Sequence, residues 1–168
     1  MKINSLEAIA RALQEAGARY LVAGGVAVVA HGYARLTFDL DLVVRLEREN
    51  VLHALRALAG LGYKPHVALR LEDFADDEQR RRWRREKKML VLNLISDLHR
   101  ETPVDIFAEE PFDFEAAWKE SAEESVAPGV RMRIVGLRTL IDMKETAGRE
   151  RDRDAVSHLR KLLRDAPS

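Results

Sequence analysis

At 168 residues, with 46% hydrophobic and 33% charged side chains, the chain has a globular composition and length enough for a two-layer core. Its 28 basic side chains balance 28 acidic ones, so overall charge says little about a partner. It has no cysteine, which excludes a disulfide framework and a cysteine-ligated zinc site.

In chain order, Asn4 is placed to cap a first helix with Glu7 three residues on. Leu6, Ile9, Ala10 and Leu13 line one face, and Gly17 is a plausible stop. This amino-terminal stretch lacks the apolar core of a signal peptide. The longest apolar run, around residues 20–30, is too short to span a bilayer and contains a glycine pair. A cytoplasmic protein with no membrane partner is the expectation. Tyr20 to Ala23 reads as a strand, Gly24 and Gly25 as a tight turn, and Val26 to Tyr33 as a short helix. The valines of that helix favour strand locally, so its helical reading leans on the turn. Thr37 to Val44 alternates as a strand, and a helix from about Glu47 carries Val51, Leu55 and Leu58 to Gly60 or Gly62.

Strands are further expected over 63–68, over Met89 to Ile95 (apolar but for Asn93), and around Asp105 in PVDIF. Val130, Met132 and Ile134 alternate with Arg131 and Arg133 as a half-exposed strand, and helices over 137–147 and about 154–165 close the chain. The pattern is α/β (α+β), a mixed β-sheet flanked by helices. No linker suggests a second domain, so residues 1–168 read as one domain with a helical tail at about 136–165.

The chemistry concentrates in GGVAVVAHGYARLTFDLD, residues 24–41. A strand has a side-chain period of two, so Asp39 and Asp41 project from one face, about 6.6 Å apart along the strand. Two carboxylates at 5 Å repel by about 3 kcal/mol at an effective dielectric of 20. An edge strand with a solvated polar face would tolerate them. A divalent metal would explain them better, given three neighbours in the sequence. The glycine pair permits close backbone approach, the helix after it can point N–H groups at phosphate, and Asp105 offers a third carboxylate.

The segment from Arg80 to Lys88 holds seven basic residues against Glu86 alone. Arg81, Arg82 and Arg85 could neutralise phosphates while Trp83 stacks on a base. A solvated helix balanced by the preceding acidic residues 72–78 is an equal alternative. The histidines show no metal-ligand spacing, and neither a Gly-x-Ser-x-Gly elbow nor a Walker A loop exists. His31 is read as positional. Asp152 and Asp154 read first as caps of the last helix, with an orienting role toward Lys144 as the second reading.

The run GGVAVVAHGYARLTFDLDLVV resembles the signature of the nucleotidyltransferase superfamily with the DNA polymerase β-like fold: strand, Gly-Gly or Gly-Ser, short helix, Asp-x-Asp. HGYARLTFDLDL is similar to small bacterial AbiEii-type enzymes, which include toxins of toxin–antitoxin pairs. GLRTLIDMKETAGRERDRDAVSHL resembles the helical tail of the same group. The resemblance implies a minimal nucleotidyltransferase fold that moves an NMP from an NTP to a hydroxyl. Asp39 and Asp41 would then ligate two Mg²⁺ ions, and Asp105 would complete the second metal site. Gly24 and Gly25 would contact the triphosphate through backbone N–H groups. Lys144 would neutralise phosphate charge, with Arg35 assisting and Thr37 in the same nucleotide-binding motif.

Two departures stand out: Gly25 replaces a frequent serine, and full-length AbiEii-type toxins are considerably longer. The acceptor stays open between tRNA or protein, for a toxin with a cognate antitoxin, and an aminoglycoside or lincosamide. A non-catalytic binding module is the alternative from another class.

Overall fold

The structure, a computed structural model, describes residues 1–165. Helix α1 (Ile3–Glu15) buries Ile9, Ala10 and Leu13 along one stripe. It ends as expected at Gly17, in the left-handed region at φ 62°. The Gly17 N–H donates to Gln14 O and the Ala18 N–H to Leu13 O, which closes the last turn. The expected Asn4 cap does not form: the helix begins at Ile3, and its cap residue Lys2 makes no side-chain hydrogen bond.

Seven strands build one mixed sheet: β1 (Tyr20–Val22), β2 (Leu40–Val44), β3 (Tyr63–Pro65), β4 (Val91–Ser96), β5 (Val104–Phe107), β6 (Ala122–Ala127) and β7 (Val130–Ile134), in the order β3-β4-β5-β2-β1-β7-β6. β2 runs antiparallel to β1 and parallel to β5; β1 and β7 are parallel; β3–β4, β4–β5 and β6–β7 are antiparallel. Helices flank the sheet: α2 (Gly24–Ala30), α3 (Arg48–Gly60), α4 (Leu71–Ala75), α5 (Asp77–Lys87), α6 (Phe114–Glu120), α7 (Leu137–Ala147) and α8 (Arg153–Asp165). Leu21, Leu40, Leu42, Leu92 and Leu94 of the central strands are fully buried with Leu55 and Leu58 of α3. Among the described residues no helix is long and apolar enough to cross a membrane.

The strand expected from Thr37 begins only at Leu40, and Asp39 lies in the bend before it. The Leu40 N–H donates to Pro103 O, and Pro103 has no N–H with which to extend that ladder. The strand expected over 63–68 shortens to Tyr63–Pro65.

Three elements have no counterpart in the sequence reading: α4, α6 and β6. Residues of β6 up to Ser125 are exposed, at the sheet edge. Glu123 pairs with Arg131 at 3.0 Å and with Arg133 at 2.8 Å on β7. Pro128 and Gly129 (φ 72°) form the two-residue turn between them.

Candidate active site

The parallel ladder sets Asp41 of β2 directly beside Asp105 of β5, and the antiparallel ladder sets Asn93 of β4 beside Asp105. All three side chains share one face of the sheet, since directly paired residues point the same way. Asp39, in the bend before β2, joins them: one carboxylate oxygen from each of Asp39, Asp41 and Asp105 lies within 4.8 Å of the others. The three aspartates singled out in the sequence therefore meet in space.

The cluster is electrostatically stressed. Burial, reinforced by the charges of Asp39 and Asp105, pushes the Asp41 carboxyl up to about 6. The Gly25 N–H and the charge of Lys144 oppose that rise. Burial also raises Asp105, partly offset by the Asn93 amide, which donates to Asp105 Oδ1 at 2.7 Å. Asn93 was not among the residues expected at the site. Its signal was being the one polar side chain in an otherwise apolar strand.

The glycine pair supplies close approach. Gly24 sits at φ +61°, and a Cβ there would lie 1.7 Å from Asp41 Oδ2. At Gly25 a Cβ would meet Thr37 Oγ1 at 2.4 Å, so serine has no room at this position. The Thr37 hydroxyl itself donates to Asp39 O at 3.3 Å, tying the bend to the site. Both glycines open α2, beside Asp41 and Thr37.

Lys144 of α7 is 9% exposed, and its Nζ donates to Asp152 Oδ1 at 2.9 Å. Arg35 Nη1 donates to the same oxygen at 3.0 Å. Burial alone would raise the Asp152 carboxyl, but the hydrogen bonds and charges of Lys144 and Arg35 hold it below the usual carboxylate range. Asp152 is thus an ion-pair partner 5% exposed in a 3₁₀ turn (Glu150–Asp152) rather than a free helix cap. His31 accepts the positional reading: its Nε2 lies 2.8 Å from Val135 O.

The basic segment is a helix, α5, and it lies elsewhere. Trp83 is 6% exposed, so its ring is core and not a platform for a base; the stacking expected of it is corrected by its burial. Arg81 pairs with Asp77 at 2.8 Å, Arg85 approaches Glu86 at 3.8 Å, and Arg82 is exposed. The helix docks through Arg80, whose Nη1 donates to Phe74 O and Nη2 to Leu46 O, and through an Arg84–Glu109 ion pair. Leu46 and Glu109 follow the carboxyl ends of β2 and β5, whereas Asp41 and Asp105 sit at the amino ends of those strands. Five residues of extended chain between Asp41 and Leu46 correspond to about 16 Å.

The donor set fits a hard divalent cation. Three carboxylates converge, one of them pushed to about 6 chiefly by burial and then by the others' charge, and carboxylate oxygens are what Mg²⁺ prefers. Asp39, Asp41 and Asp105 are the residues that would hold it.

No protein-family profile matches the sequence, and no curated protein does. Among solved structures, the chain is similar to the crystal structure of a "putative nucleotidyltransferase" from Thermotoga maritima. The TM-score is 0.56 and the identity 16%, over 97% of this chain and 92% of that one. At that identity the likeness is one of architecture: the two chains share a fold, here a seven-stranded mixed sheet flanked by helices.

Proposed function

We propose that the protein is a Mg²⁺-dependent nucleotidyltransferase that moves an NMP from an NTP onto an acceptor hydroxyl. The observation that carries this reading is the meeting of Asp39, Asp41 and Asp105 within 4.8 Å, on a fold shared with a protein described as a "putative nucleotidyltransferase". A divalent ion bound by these carboxylates neutralises phosphate charge and makes the acceptor hydroxyl more acidic.

The chain's own groups supply the rest. Asp105, steered by Asn93, takes the hydroxyl proton as the acceptor oxygen bonds the α-phosphorus and the bond to pyrophosphate breaks. Lys144, fixed by Asp152, keeps positive charge beside Asp41 for the incoming phosphates. Arg35 locks that arrangement from the loop before β2. Gly24, Gly25 and Thr37 shape the wall of the nucleotide site. The whole chain acts as one cytoplasmic catalytic domain of the AbiEii-like type. Its acceptor is tRNA or another RNA, in the manner of a toxin held in check by a cognate antitoxin.

The test is incubation of the purified protein with Mg²⁺, each α-³²P-labelled NTP in turn, and total tRNA, beside the Asp39→Asn/Asp41→Asn variant. Label on RNA that vanishes in the variant supports the reading. No label on RNA, on protein, on aminoglycosides or lincosamides, or on the enzyme itself would leave a non-catalytic binding module.

A further inference from the structure

A second feature lies around Lys144 and its partner Asp152. Between α7 and α8 lies an open groove of about 450 Å³, lined by Lys144, Arg149, Arg153, Arg160 and Arg164. Among the described residues two carboxylates line it, Glu145, paired with Arg160 at 2.5 Å, and Asp152, paired with Lys144 at 2.9 Å, while Arg153 pairs with the exposed Glu150 at 3.4 Å. Arg153, Ser157, Arg160 and Arg164 recur at helical spacing (i, i+4, i+7, i+11) and so form one stripe along α8. Eleven residues of helix extend that stripe over about 16 Å. The opposite side of α8 buries Ala155 and Leu159, so the helix is fixed and the arginines face outward.

We propose that this groove binds the phosphodiester backbone of a nucleic-acid acceptor and leads its reacting hydroxyl to the carboxylate cluster. Its inner end is Lys144, whose charge reaches Asp41; its outer wall is the arginine stripe. A stripe of about 16 Å is longer than one triphosphate, and guanidinium forks match phosphate oxygens. The same charge repels cationic aminoglycosides. The assignment of this backbone as an acceptor rests on the nucleotidyl-transfer reading, but the binding does not.

The experiment measures binding without NTP, by anisotropy of a fluorescein-labelled 20-nucleotide single-stranded RNA over a salt series. It compares the wild type, Arg153→Ala/Arg160→Ala/Arg164→Ala, the corresponding triple Lys variant, and Arg81→Ala/Arg82→Ala/Arg85→Ala on α5. The α8 triple Ala variant is expected to bind at least tenfold more weakly. The magnitude of its log–log salt slope should drop by about 2, at roughly 0.7 per phosphate contact on a single strand. The triple Lys variant should recover most of the binding, and the α5 variant should match wild type.

Loss of binding in the α5 variant instead, equal binding by all four proteins, or no RNA binding by any would overturn the proposal. So would competition by inorganic triphosphate alone at equimolar concentration, which would assign the groove to the nucleotide. RNA held in the groove without any label transfer would defeat the enzymatic reading and leave the groove standing. Transfer to RNA that survives the α8 triple Ala variant would do the reverse.

Discussion

Two regions of the molecule each bury one cation, and they use it differently. Arg80 of α5 is 2% exposed; its Nη groups are held chiefly by main-chain oxygens, Phe74 O at 2.7 Å and Leu46 O at 3.5 Å, with Asp77 at 3.3 Å, while its Nε is buried without a hydrogen-bond partner. Burial holds its guanidinium below its usual value. It acts as a strut that fastens α5 beyond the carboxyl ends of β2 and β5. Lys144 of α7 is 9% exposed, yet it is held by the carboxylate of Asp152, which Arg35 shares, and its charge is felt at Asp41. The densest basic run in the sequence therefore builds structure. In the proposed mechanism the cations come instead from residues 35 and 144 and, in the proposed groove, from 149 to 164. Charge density along a chain and charge density in space are separate quantities.

The sharpest way to break this contrast is to delete each cation. Lys144→Met should lower nucleotidyl transfer at least 10²-fold, the scale of removing one preorganised stabilising group. Arg80→Ala should leave transfer per folded molecule within about twofold while lowering stability by about 3 kcal/mol, through a lost buried side chain and an orphaned carbonyl. Single-turnover assays and urea titrations read the two effects, and equal losses of transfer would erase the distinction.

A second test concerns the stress at the cluster. A carboxyl raised from 3.8 to about 6 opposes folding once ionised; the penalty is absent below about pH 3, grows through the window between the two values and is nearly complete above about pH 6. In EDTA, Asp41→Asn should therefore stabilise the protein by up to about 3 kcal/mol at pH 7 and by almost nothing at about pH 3. Added Mg²⁺ should narrow the gap at pH 7 by stabilising the wild type. A destabilised variant at pH 7 would mean that Asp41 is not under strain. The smallest effect belongs to Arg81→Ala/Arg82→Ala/Arg85→Ala, whose exposed or loosely paired side chains should move stability by less than about 0.5 kcal/mol per site.

Much of the fold was legible because its signals are local. Gly17 stops α1, and the alternation of Val130, Met132 and Ile134 is that of β7. The short helix forms despite the strand preference of its valines, but it takes in both glycines of the expected turn and ends at Ala30 rather than Tyr33. β6 was not legible, since an exposed edge strand of sequence AEESVA has no apolar period; pairing with β7 defines it. At the site, three aspartates could be singled out from strand patterns and a family likeness, and the structure brings them together. Asp152 was read first as a cap because an acid before a helix is the commonest local explanation. Its partner Arg35 lies 117 positions away, which no local pattern reveals. Trp83 was misjudged for the same reason: basic neighbours in sequence say nothing about which face of α5 is covered.

Asp41 and Asp105 are register partners in a parallel ladder, so the sheet itself is the ruler between them. Neighbouring strands keep about 4.8 Å whatever their side chains. The gap between two of the three carboxylates is then a property of backbone hydrogen bonds and indifferent to most substitutions around it. A chain built this way can rewrite nearly all of its surface and much of its core while the spacing stays put. That is how architecture can outlast likeness of sequence, as a shared fold at 16% identity illustrates.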